Sequence, residues 1–140
     1  MTIENKLKEL NIELPNAPDP VGAYVAFKKI GNLLFISGQL PISKDGKIIK
    51  GKIGAGLNLE DGQRASKLCV INILAQVKKA LNGDLNKVKN CVKITGFVNS
   101  SDDFKDSLII FEIFSSLFPG DKIAILSIRF LNSLTFPGQL

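Results

Sequence analysis

After an apolar run, the segment LLFISGQLP presents Ser37, Gly38 and Gln39 in succession. A hydroxyl, a residue without a side chain and an amide form a set that can meet a small ligand. Glycine lets the ligand approach the backbone, and its polar neighbours offer hydrogen bonds. The same three residues also read as a plain strand end, and nothing local separates the two. The rest of the chain narrows the chemistry. None of the 140 residues is histidine, which removes Ser–His and Cys–His pairs, the usual zinc ligands and the commonest general base. Any reaction must therefore use carboxylates, backbone groups, Tyr24 or one of two arginines, Arg64 and Arg129. Cys69 and Cys91 lack metal spacing and read as buried thiols, one on a helix and one on a strand.

The net charge of +5 raises the question of nucleic acid. The positive charge is almost all lysine, scattered along the chain, with no Trp and one Tyr. Phosphate and base recognition favour arginine and aromatic platforms, so a solvated lysine-rich surface is the better reading. The length suits one domain spanning 1–140, with a core large enough to be stable. No apolar run approaches the roughly 20 residues that cross a bilayer, and MTIENKLKEL lacks a signal-peptide core. The expectation is a cytoplasmic protein without a membrane partner.

The elements that must position these residues follow from periodicity. Residues 3–10 suit a helical turn or two, then Pro15, Pro18 and Pro20 make an extended approach. AYVAFKK and NLLFISG read as a hairpin. A second hairpin is expected from Leu40, turning at Asp45-Gly46. IGAGLNLEDG lacks the spacing of a phosphate loop and carries two acids that would repel phosphate. It leads instead into a helix from about Leu59 to Leu81, with Asn58 as N-cap and Val70, Ile73, Leu74, Val77 and Leu81 facing the core. KNCVKITGFVNS alternates as a strand. SDDFKDSLIIFEIFSSLFPGD reads as a second helix and KIAILSIRFL as the last strand. This order predicts an α+β layer, a mixed sheet with two helices on one face. The opposite face would be left bare and apolar, which predicts self-association.

The run APDPVGAYV, GNLLFISGQLP, GKIGAGLNLEDGQRAS, NILAQVKKAL, DLNKVKNCVKITGFVNSSDDF resembles the reactive intermediate deaminase family, RidA or YjgF, in its amino-terminally extended branch (residues 1–20 being the extension). The resemblance covers about Leu14 to Asp106. It implies the chorismate-mutase-like fold, three copies closing their sheets into a barrel, and a pocket at each subunit interface. It also implies hydrolysis of 2-imino or 2-enamino acids to 2-oxo acids and ammonia, with no metal or organic cofactor. An older label for the family is endoribonuclease. An imine carbon is already electrophilic, so water attack needs positioning, a carboxylate anchor and proton movement. The family's pocket positions transfer to Tyr24, Ser37, Gly38 and Gln39.

The match departs in residues 107–140. Counting back from Asn132-Ser133-Leu134, the family's carboxylate-binding arginine falls at Leu126, and leucine cannot bind a carboxylate. Arg129 lies three residues on, which turns it to the opposite strand face unless the register slips. The carboxylate that members carry on the last strand has no counterpart. Three readings stay open for the function. One is an imine deaminase with Arg129 as substitute anchor, and another is a non-catalytic member binding a small metabolite. The third is the endoribonuclease of the older label.

Overall fold

The computed structural model describes residues 2–20 and 22–104, positions 112 and 117, and residues 125–130. The chain opens with α1 (Ile3–Glu9), whose Asn5 N–H donates to the Thr2 hydroxyl at 3.2 Å. Ile3 and Leu7, one turn apart, are buried against the 3-10 turn Leu85–Lys87.

β1 (Phe27–Ile30) and β2 (Leu33–Ile36) form the first hairpin, antiparallel with Phe27 opposite Ile36 and Ile30 opposite Leu33. Gly31 in the connection has φ +56, the positive value that a type II′ turn needs at its first central position. β1 is shorter than the run from Ala23 suggested, because the Tyr24 N–H donates to the Gly22 carbonyl at 2.9 Å and leaves the ladder. The second hairpin contracts to a single bridge, Ile42 opposite Ile48. There the Ser43 hydroxyl donates to Asp45 and the Gly46 N–H to the Ser43 carbonyl, so the polar groups close a tight turn. β3 (Lys52–Ile53) and β4 (Gly56–Leu57) then pair as a short ladder.

The long helix, α2 (Leu59–Ala80), begins where the sequence places it. The Asp61 N–H donates to Asn58 Oδ1 at 2.9 Å and the Asn58 N–H to Asp61 Oδ2 at 3.0 Å. This reciprocal box occupies donors at that helix end that an anion would otherwise use. The helix stops at Asn82, φ +54, with the Gly83 N–H donating to the Lys78 carbonyl at 2.8 Å. Those are the contacts of a left-handed helix cap.

α2 packs on β1, β2 and β3. Val70 and Leu74 are 0% exposed and Val77 is buried beside them, with Ile73 and Leu81 half-buried at the margin. Each fully buried aliphatic side chain stabilises the fold by about 1.5–3 kcal/mol. β5 (Lys93–Val98) turns Ile94 and Val98 into the same core and Lys93, Thr95 and Phe97 outward. Cys91 precedes β5, a correction to its expected place on the strand. β6 (Ile125–Phe130) pairs parallel with β5, with Ile94 opposite Leu126 and Phe97 opposite Arg129. A parallel pair needs a crossover. The helix expected there falls largely outside the described residues, but Glu112 and Leu117 are helical and Leu117 is buried.

The fold is therefore α+β, with antiparallel and parallel ladders against helices. Large apolar side chains stand out from the ladders among the described residues: Ile30, Leu33 and Phe35 on the β1–β2 hairpin, beside Lys28, and Phe97 on β5, beside Lys93 and Thr95, are each more than half exposed. No helix among the described residues is long and apolar enough to cross a membrane.

Candidate functional site

Three residues that the sequence singles out, Tyr24, Gly38 and Gln39, line one cleft. Gly38 and Gln39 leave the end of β2, and Tyr24 lies in the turn before β1. The strap Pro18–Asp19–Pro20 forms one side, and Ala26, Leu40 and Ile42 supply apolar wall. The floor is α2, through Asn72 and Gln76. The cleft is partly open, with a cavity volume of about 30 Å³, more than the roughly 10–15 Å³ on this measure that one water needs.

Ser37 holds the end of the hairpin. Its hydroxyl donates to the Val25 carbonyl at 2.6 Å and its N–H to the Ala26 carbonyl at 2.9 Å. The hydroxyl proton is thus committed to strand closure, and Ser37 shapes the cleft through the residues that follow it. Gln39 Nε2 donates back to the Ser37 carbonyl at 3.0 Å, which fixes the turn. A side chain at Gly38 would meet nothing within 4 Å, so the backbone there is open to an approaching molecule. The opening residues therefore act both as a strand end and as a cleft wall.

Asn72 and Gln76 were not selected by sequence reasoning, although a signal was present. Both are amides, four residues apart, inside the apolar run VINILAQV, where a solvated face would carry charge. Asn72 Nδ2 donates to the Leu40 and Ile42 carbonyls, each at 3.0 Å, and pins the loop that follows Gln39 to the helix. Gln76 Nε2 donates to the Pro18 carbonyl and holds the strap.

The two arginines take different places. Arg64 pairs with Asp61 at 2.8 Å in the first turn of α2. Arg129 is exposed on β6 beside Phe97, outside the cleft, and among the described residues it has no ion-pair partner. Leu126 stands in register with the core residue Ile94. Neither cysteine is poised as a nucleophile: burial pushes the Cys69 thiol up to about 11 and raises Cys91 as well.

The class these features define is confirmed by comparison with known proteins. Residues 4–114 match the sequence profile described as "YjgF/chorismate_mutase-like, putative endoribonuclease", and the chain belongs to that family. Protein TCP17 of Trypanosoma cruzi is 41% identical over 100 residues, 71% of this chain. The match spans 62% of TCP17, less than two thirds of that relative's own length. Among solved structures, protein Atu1372 of unknown function from Agrobacterium tumefaciens is 38% identical. It superposes with a TM-score of 0.75 over 96% of this chain and 86% of its own. E. coli TdcF with bound serine is 25% identical with a TM-score of 0.59, over 88% and 86%.

Proposed function

We propose that the protein is a cytoplasmic RidA-type hydrolase of small 2-imino or 2-enamino acids, releasing 2-oxo acids and ammonia, and that it works as a homotrimer. The observation that carries this reading is the convergence of Tyr24, Gly38 and Gln39 on one cleft in a chain of this family. TdcF, of the same fold, holds serine, an amino acid of the size this chemistry needs. The reaction requires a held substrate and an admitted water more than a strong nucleophile, because the imine carbon is already electrophilic. Backbone at Gly38 and the amide of Gln39 orient the substrate, and Tyr24 packs at the mouth.

Neither Lys nor Arg is among the described residues lining the cleft. In this reading the substrate carboxylate is met by Arg129, presented from the exposed side of β6 to a pocket that a neighbouring copy completes. The exposed apolar side chains of Ile30, Leu33, Phe35 and Phe97 support the trimer. The missing cation in the cleft and Leu126 at the arginine position also favour a second reading, a non-catalytic member that binds a neutral or apolar metabolite. The discriminating experiment generates 2-iminobutanoate in place and follows its loss. Acceleration over the spontaneous rate supports the hydrolase. A folded protein that gives no acceleration, yet is stabilised against heat by apolar ligands and not by 2-oxobutanoate, supports the binder.

A further inference from the structure

Gln76 is 1% exposed, and among the described residues its Oε1 has no hydrogen-bond donor. An orphaned buried acceptor is costly to a fold, so its cause has to be sought in what surrounds it. The amide cannot rotate to relieve it, because exchange of Oε1 and Nε2 would set two acceptors face to face at the Pro18 carbonyl. Apart from the Tyr24 hydroxyl, the side chains of the cleft wall are poor in donors for identifiable reasons. Pro18 and Pro20 have no N–H, and Ala26, Leu40 and Ile42 bring apolar side chains. Both Asn72 contacts run from its Nδ2 to the Leu40 and Ile42 carbonyls, and Gln39 Nε2 is turned to the Ser37 carbonyl.

We infer that the cleft is a subsite for a neutral N–H donor, the primary amide or imine nitrogen of a small ligand, which Gln76 Oε1 accepts. The cavity volume of about 30 Å³ admits a small polar group such as NH or NH₂, with the remainder of the ligand extending outward past Tyr24. A charged ammonium is disfavoured there. Asp19, the carboxylate in the cleft wall, is exposed and already pairs with Lys79 at 3.7 Å, and the floor residues Asn72 and Gln76 carry no charge to offset the loss of hydration of a full charge. The inference deepens the proposed reading, since an imine nitrogen is such a donor. It orients the substrate nitrogen inward and the carboxylate outward, toward Arg129 of a neighbouring copy.

The test uses propionamide and N,N-dimethylpropionamide, which share the acyl group and differ in the N–H donors. Neither is an imine, so the result does not depend on hydrolysis. Binding to the wild-type protein is followed by NMR at the Gln76 side-chain amide and the Gly38 backbone amide. Propionamide should give saturable shifts at both, with the dimethyl compound at least about tenfold weaker. Gln76→Met should remove the saturable shift at Gly38 while the Asn72 side-chain signals keep their positions. Equal response to the two amides, response to neither, or a long-lived water beside Gln76 that propionamide does not displace would each overturn the inference. A protein that binds propionamide but fails to hydrolyse imines would keep this subsite and lose only the proposed reaction.

Discussion

Arg129 stands opposite Phe97 in the parallel β5–β6 ladder, on its exposed side, while Leu126 stands opposite the core residue Ile94. An arginine in that place cannot serve the cleft of its own chain as drawn by Tyr24, Gly38 and Gln39. It can serve one completed by another copy. Arg129→Ala should therefore lower kcat/KM for a 2-imino acid by at least about tenfold, mainly through KM, as loss of a charge-assisted anchor does. Unchanged steady-state kinetics would remove Arg129 from the site.

Self-association is proposed to rest on the exposed apolar side chains of the ladders. Phe35 is 55% exposed and lies opposite Lys28 at the centre of the β1–β2 ladder. Phe35→Lys should leave the monomer's stability within about 0.5 kcal/mol while converting an oligomer to monomers in light scattering. An oligomer that survives Phe35→Lys paired with Phe97→Lys would place the contact elsewhere.

Asn72 joins the helix to the loop after Gln39 through two carbonyls. Asn72→Leu leaves the Ile42 carbonyl without a donor, while the Leu40 carbonyl keeps the Ile42 N–H at 2.8 Å, at a cost of about 1–3 kcal/mol. The urea midpoint should fall with an unchanged slope. Leu74→Ala, from a fully buried position, should cost about 3–5 kcal/mol by opening a cavity.

Cys69 supplies a test of burial by pH. Its folded pKa is about 11 against an ordinary 9.0, so the folded thiol keeps a proton that the unfolded chain sheds. The associated stability is complete below pH 9 and is lost as pH rises toward 11. Wild type should lose more stability than Cys69→Ala across that interval, by at most about 2–3 kcal/mol. Alkylation of Cys69 at pH 8 should be slow until the chain is unfolded.

The regular parts of this molecule were legible because a single local rule governs each. Asn58 caps α2, and Val70, Leu74 and Val77 repeat at its period. The alternation around Ile94 and Val98 gave β5 its inward face. The second hairpin was overread because Ser43 and Asp45 bond each other in a tight turn, a choice made by side chains that periodicity does not register. In the site, types and spacing found Tyr24, Gly38 and Gln39. They missed Asn72 and Gln76, whose partners lie 30 or more residues away in sequence. Polar residues inside an apolar helical run are the signal that would have found them.

The most direct test of the central claim is the lifetime of 2-iminobutanoate, formed in place by a dehydratase and followed with and without the purified protein. The account predicts faster disappearance than the spontaneous reaction, in proportion to protein, and slowed by Arg129→Ala. A folded protein that leaves that lifetime unchanged would contradict it and leave a protein with the family's shape and a different ligand.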